Sequence, residues 1–390
     1  MQTSVPISED ILQWIMTRVR LESLPHKVAA NLTKWSEKEK VPTFNQIEDV
    51  SKATGIPLGY FFLKTPPQED LSLVEYRTVD SVELMNPSRE LIDTMHNMEL
   101  VQDWMRDQLI AEGISELPFV GALKGETSVV RFADSVRDRL NLKKDWFRRS
   151  GGVRDSFNRL RMAMSNAGVV VMTSGIVENN THRPLDINEF RAFALVDDLA
   201  PLIFINGNDS ESGKIFSLIH EFAHLCLGEN SLFNERYSSG QSINRKETIC
   251  NAVAAEILVP QDLFTKAWQT AVKEVDRERA IQITSKDFKC GMTVIARRAL
   301  DNGFIEYPLY KKTAELAIKL YNEQRKKQKE NGSGGDYYKT AVNRIDPRFL
   351  KMLTGSVAAG KTLYSDAFRL TNTNRFTFAK LTGQMGGGAE

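Results

Sequence analysis

The chain has 390 residues, a formal net charge of +1, 42% hydrophobic residues and 26% charged ones. That length accommodates about two to four domains with at least one sizeable core, and the near-neutral balance offers no global attraction to nucleic acid or to an anionic membrane surface. Cys226, Cys250 and Cys290 have no metal-finger spacing and point to free thiols in a reducing compartment. The first residues lack a basic, apolar leader and no apolar run reaches the length of a membrane span, so a cytoplasmic protein with no membrane partner is expected.

Residues 1–66 read as a small helical unit. Ile11, Trp14, Ile15 and Val19 recur at helical spacing, as do Phe44, Ile47, Val50 and Ala53 behind a Thr43 N-cap. Leu32-Thr-Lys-Trp35, Pro42-Thr43, Gln46-Ile47, Pro57 and Phe61-Phe62-Leu63 together resemble the repressor-type helix-turn-helix of phage-like regulators. The stretch from Leu21 to Trp35 is too short for two helices and a turn, and Pro25 interrupts it, so the unit reads as a degenerate one. Cations barely outnumber acids here, so weak DNA contact through residues 1–66 competes with docking onto a protein, which the charge balance favours.

Residues 67–150 form a helical connector after the Thr65-Pro-Pro67 linker. Leu91, Ile92, Met95, Met98, Val101, Trp104, Met105 and Leu109 make one helical stripe, read as core packing. A second helix spans about 129–140. The run Lys143-Lys144-Asp-Trp-Phe-Arg148-Arg149 mixes cations with aromatics and reads as a solvated helix end.

Residues 151–285 have the pattern of an α+β unit. A helix over 155–167 precedes the apolar runs 168–172, 190–196 and 201–206, each expected as a strand. The last of these, directly before the next helix, is expected at a sheet edge, where an extended peptide can add by strand pairing. That helix carries Ser217-Leu-Ile-His-Glu-Phe-Ala-His-Leu-Cys226, with Gly228 to stop it. His220 and His224 are one turn apart on one face, a spacing that lets both imidazoles reach one Zn²⁺ with Glu221 beside it as general base.

A catalytic zinc needs a third protein ligand and an open position. Two carboxylates on the following helix compete, Glu247 and Glu256. They are nine residues apart, half a turn out of phase, so only one can face the metal. Glu247 shares its face with Cys250, Asn251 and Ala254, small enough for close packing, and is preferred; Asn251 is placed to hydrogen-bond a ligand histidine. Tyr237 and His182 are the nearby residues of a type suited to donate to an oxyanion.

The order of Asn206 after an apolar strand, His-Glu-Phe-Ala-His-Leu, then Glu-x-x-Cys-Asn-x-x-Ala-x-x-x-Leu-x-Pro resembles the ImmA/IrrE family of bacterial and phage metallopeptidases. The resemblance implies a mostly helical, multidomain α+β chain with a gluzincin-like core, a small sheet plus the H-E-x-x-H helix. It implies zinc held by His220, His224 and Glu247 with Asn251 behind them. It also implies an endopeptidase that cleaves a partner transcriptional repressor to induce stress or mobile-element genes. The alternative is a DNA- or protein-binding, antitoxin-like regulator that keeps the peptidase fold as a scaffold.

Residues 286–390 are expected to be a helical accessory region. Ser285–Leu300 has a helix–turn–helix form with Val294, Ile295 and Leu300 inward and Arg297 and Arg298 on a cationic outer face. A helix over 311–329, a Gly332-Ser-Gly-Gly335 linker, a last helical unit from Asp346 to about Leu381 and a glycine tail at 386–388 follow.

Overall fold

The structure, a computed structural model, describes residues 4–19, 21–67, 87–233, 245–330 and 337–386. Tyr237, the Gly332–Gly335 linker and most of the glycine tail lie outside the described residues. The fold is α+β and mostly helical, with a single mixed sheet among the described residues. None of the described helices is long and apolar enough to cross a membrane.

The N-terminal unit consists of α1 (Glu9–Arg18), α2 (His26–Ser36) and α3 (Phe44–Thr54), closed by a 3-10 turn at Leu58–Phe62. Its own core holds Ile11, Ile15, Leu32, Trp35, Ile47, Val50 and Phe61. The Thr43–Gln46 capping box opens α3 and Gly55, at φ +71°, ends it. Between α1 and α2 there is one 3-10 turn, Leu21–Ser23, and no further helix. The Arg183 guanidinium lies against Gly55, so close that a Cβ there would sit 2.6 Å from Nη1. Arg183 also pairs with Asp93 (2.7 Å) and Glu90 (3.3 Å) on α4 (Arg89–Ala111).

Helices α5 (Val129–Arg139) and α6 (Val153–Asn166) precede strand β1 (Val170–Ser174). Strands β2 (Ala192–Leu195) and β3 (Leu202–Asn206) follow, then α7 (Glu211–Leu227), β4 (Ser231–Phe233) and α8 (Arg245–Leu258). The sheet order is β1-β3-β2-β4, with β1 parallel to β3 and the other pairs antiparallel. The expectation that 201–206 forms a sheet edge is therefore corrected. β3 is internal, flanked by β1 and β2, and all five of its residues are buried. A continuous apolar run is what a strand covered on both faces looks like, and such a run carries no sign of its lateral position. The edges are β1 and the three-residue β4.

Alternate side chains divide the sheet between two cores. Val171, Ala192, Ala194, Ile203 and Ile205 face α5 to α8 and then α9 (Gln261–Glu274), α10 (Arg277–Phe288) and α11 (Met292–Asp301). Val170, Met172, Phe193, Leu195, Leu202 and Phe204 face the α4 stripe and the C-terminal helices. After α12 (Tyr307–Glu330) these are α13 (Tyr337–Arg344), α14 (Pro347–Ala358), α15 (Tyr364–Thr371) and α16 (Arg375–Gly386).

The C-terminal region also closes the outer edge of β1. The Val171 N–H donates to Asp346 Oδ2 (3.2 Å), and the Val171 carbonyl accepts from Arg161 Nε (3.2 Å) and Nη2 (3.0 Å). Asp346, fully buried, uses its other oxygen to cap α14 at the N–H groups of Arg348 and Phe349. Backbone groups that an edge strand leaves open are thus satisfied by side chains instead of by another strand. At the other side, the sheet ends at β4 among the described residues.

Candidate metal centre

Local chemistry fixes the start of α7. Asn206, fully buried at the end of β3, donates to the Phe190 carbonyl and accepts from the Asn208 N–H, which turns the chain sharply. Gly207 passes so close to the 174–175 backbone that a Cβ would meet Gly175 N at 2.8 Å. Ser210 caps the helix by accepting from the Gly213 N–H. At the far end Gly228, at φ +72°, stops it as expected from its backbone freedom. Between these points Ile215, Leu218, Ile219, Phe222 and Leu225 bury α7 in the larger core.

His220, Glu221 and His224 are all buried. The two imidazoles face each other with their Nε2 atoms 3.1 Å apart. From the first turn of α8, Glu247 brings one carboxylate oxygen to 3.2 Å from His220 Nε2 and the other to 3.2 Å from His224 Nε2. One donor atom from each residue falls within a common span of 4.8 Å, the grouping expected of three ligands to one ion. Asn251, one turn along α8 from Glu247, hydrogen-bonds His220, and the Cys250 thiol hydrogen-bonds His224.

Glu256 is turned away. Its carboxylate accepts from Arg298 Nη2 (2.8 Å) and lies 3.7 Å from Arg137. This also corrects the expectation for Arg298, which is not on an outer cationic face. It reaches inward to Glu256 and the Val259 carbonyl, while Arg297 stays outside and pairs with Asp301. Of the two oxyanion-donor candidates, His182 sits in an exposed turn whose neighbour Arg183 is committed to α4.

The electrostatics follow from burial and partners. Burial pulls His220 below its ordinary value. Burial acts likewise on His224, but its hydrogen bonds to Cys250 and Glu247 outweigh it and hold the ring well above the usual range. Glu247 shows the complementary effect, since burial is overcome by its two histidine partners and the carboxyl stays well below the usual carboxylate range. Burial raises Glu221 to about 7 against the opposing pull of His224 and Ser231. All three thiols are free and buried.

Ser231 is a site residue that spacing could not reveal. Its hydroxyl, on β4, donates to Glu221 Oε2. Glu221 Oε1 is buried without a hydrogen-bond partner among the described residues. A buried carboxylate oxygen left open is costly.

Comparison with known families matches residues 164–300 to the model described as the IrrE N-terminal-like domain, Peptidase_M78. Residues 345–384 match a domain of unknown function, DUF8813. No curated protein and no solved structure matches the chain.

Proposed function

We propose, from an ImmA/IrrE-type peptidase domain at residues 164–300, that the protein is a zinc-dependent endopeptidase acting on a partner protein. The observation that carries this reading is the donor triangle of His220, His224 and Glu247 beside buried Glu221. The 3.1 Å between the two Nε2 atoms is close to the roughly 3.3 Å edge of a tetrahedron with metal bonds of about 2.0 Å, and Glu247 spans the pair with one oxygen 3.2 Å from each ring. Two imidazoles and one carboxylate also suit zinc chemically. When bound, zinc acts as a Lewis acid that polarises a scissile carbonyl and acidifies water.

The remaining work falls to the chain. His220 and His224 hold the ion through Nε2, and Glu247 through its carboxylate. Asn251 and Cys250 fix the two rings in orientation. Glu221 takes a proton from the attacking water at its open Oε1 and passes it to the departing amine, a task suited to a carboxylate that titrates near neutrality. An extended substrate segment pairs with the side of β4 that no strand covers among the described residues, next to Ser231 and hence next to Glu221.

The substrate class is a transcriptional repressor, whose cleavage induces stress or mobile-element genes. A regulator that used the fold only as a scaffold would have no use for a buried carboxylate with an unsatisfied oxygen, which favours the enzyme. The test is incubation with helix-turn-helix repressor proteins from the same genome, with and without chelator, reading products by mass spectrometry. Glu221→Gln keeps the metal and abolishes cleavage. Full biological activity in that variant, or purified protein without stoichiometric metal, overturns the reading.

A further inference from the structure

A cleft of about 650 Å³ opens between the end of α5, the 3-10 turn Trp146–Arg149 and α6. Four cations line it, Arg139, Lys143, Arg149 and Arg159, and no lining residue is acidic. Elsewhere the arginines meet carboxylates closely, as Arg137 meets Asp134 at 2.7 Å and Arg183 meets Asp93 at 2.7 Å. In the cleft the only such contact among the described residues is Arg159 with Asp155, at 3.8 Å. Arg139 spends one nitrogen on the Ala167 carbonyl and lies 4.9 Å from the Phe119 ring centre, while its buried Nε has no acceptor. Lys143 and Arg149 have no ion pair among the described residues and stand exposed at the rim.

Between the cations the walls mix apolar Leu140, Trp146 and Ala163 with Asn141 and Asn166, and Met162 is 48% exposed beside them. Cations around an apolar floor fit a ligand with a multiply charged anionic end and a flat or apolar body. The volume lies within the roughly 300–1,000 Å³ usual for small-molecule sites. A nucleic-acid strand would need basic surface continuing beyond the cleft. Outside the cleft the neighbouring Lys144 is paired with Asp262 at 2.9 Å, and Arg148 has Asp145 beside it at 4.0 Å, so the uninterrupted basic surface stops at the rim.

We propose that this cleft binds a phosphate-bearing small molecule of nucleotide size. The site is wired to the metal-bearing helices. Trp146 Nε1 donates to the Ile257 carbonyl (3.1 Å) and Arg137 Nη2 to the Glu256 carbonyl (2.6 Å), both on α8. Closing α5 onto α6 around an anion therefore bears on the helix that carries Glu247.

The experiment is isothermal titration of the full chain with AMP, ADP, GDP, UDP and tripolyphosphate. Adenosine, a single-stranded oligonucleotide and a polyglutamate peptide serve as comparison probes. At least one nucleotide saturates a single site per chain, adenosine does not bind, and the affinity falls as salt is raised. Lys143→Glu and Arg149→Glu each weaken that binding at least about tenfold while leaving the thermal midpoint of the ligand-free protein unchanged. The proposal fails if no nucleotide saturates below about 1 mM. It fails equally if the charge reversals bind as before, if adenosine matches its phosphates, or if oligonucleotide or peptide displaces the nucleotide at lower concentration. None of these readouts depends on peptidase activity.

Discussion

The hydroxyl of Ser231 donates to the carboxylate of Glu221, joining the edge strand β4 to the helix that carries both histidines. The bond favours the ionised carboxylate, so it opposes the burial that raises Glu221 to about 7. Removing the donor leaves burial less opposed, and the carboxyl becomes harder to ionise. Ser231→Ala should shift the acid limb of the kcat/KM profile to higher pH. At pH 6 the loss should be about tenfold, in line with one hydrogen bond to a charged group, while metal content stays at wild-type level. An unchanged profile would show that Ser231 only packs.

The two glutamates of α8 should separate cleanly on substitution. Glu247→Ala removes a carboxylate 3.2 Å from both histidines, and zinc affinity should fall at least about 100-fold by competition with a chromophoric chelator. Glu256→Ala should keep full zinc stoichiometry. It leaves Arg298 buried with only the Val259 carbonyl to receive it, which should lower stability by about 2–3 kcal/mol in urea unfolding. The reverse pattern would reassign the ligand set.

Metal uptake should release protons. At pH 7 His220 is neutral because burial lowers it, and Glu247 is already ionised. Cys250 and Glu247 overcome burial and raise His224, which favours its protonated form. Zinc requires a neutral imidazole, so binding at pH 7 should displace about one proton, and affinity should weaken as pH falls. Calorimetry in two buffers of different ionisation enthalpy measures the number directly. A value of zero would mean that His224 is not displaced from its proton by the metal.

Asp346 joins three backbone N–H groups, those of Val171, Arg348 and Phe349. Asp346→Ala deletes the α14 cap and leaves the buried Val171 donor unpaired. The expected loss is about 2–4 kcal/mol, read as a lower chemical-denaturation midpoint. Asp346→Asn should recover part of it, because an amide oxygen still accepts. Equal stability of the alanine variant would argue that water replaces the carboxylate.

Much of the architecture is legible from spacing because helical phase is a local property. The Leu91–Leu109 stripe marks α4, and the half-turn between Glu247 and Glu256 separates the two carboxylates before any fold is known. What the chain does not display locally is lateral order. The three apolar runs that become β1, β2 and β3 read alike, so the internal position of β3 is invisible, and three residues are too few for β4 to declare itself. Arg298 is 42 positions from Glu256, so the pairing that occupies the rival carboxylate has no signature in spacing. Ser231 escapes notice for the same reason, since only the return of the chain past α7 brings it to Glu221.

The division of the sheet between two cores bears on where this protein can be cut. Residues 164–300, the span that matches the peptidase model, contain all four strands and only part of one of their two coverings, since α5 and most of α6 precede it. The other comes from Leu91–Leu109 upstream and from Ala341, Phe349, Leu353 and Leu381 downstream. A fragment trimmed to the matched span would present Val170, Phe193, Leu202 and Phe204 to water along with the bare edge of β1, a surface that associates with its own copies. The matched span is about a third of the chain, yet both coverings of the sheet are present only in a piece that runs from α4 to α16. The DUF8813 segment then has a concrete place, as a wall of the IrrE-like domain and not an appendage to it.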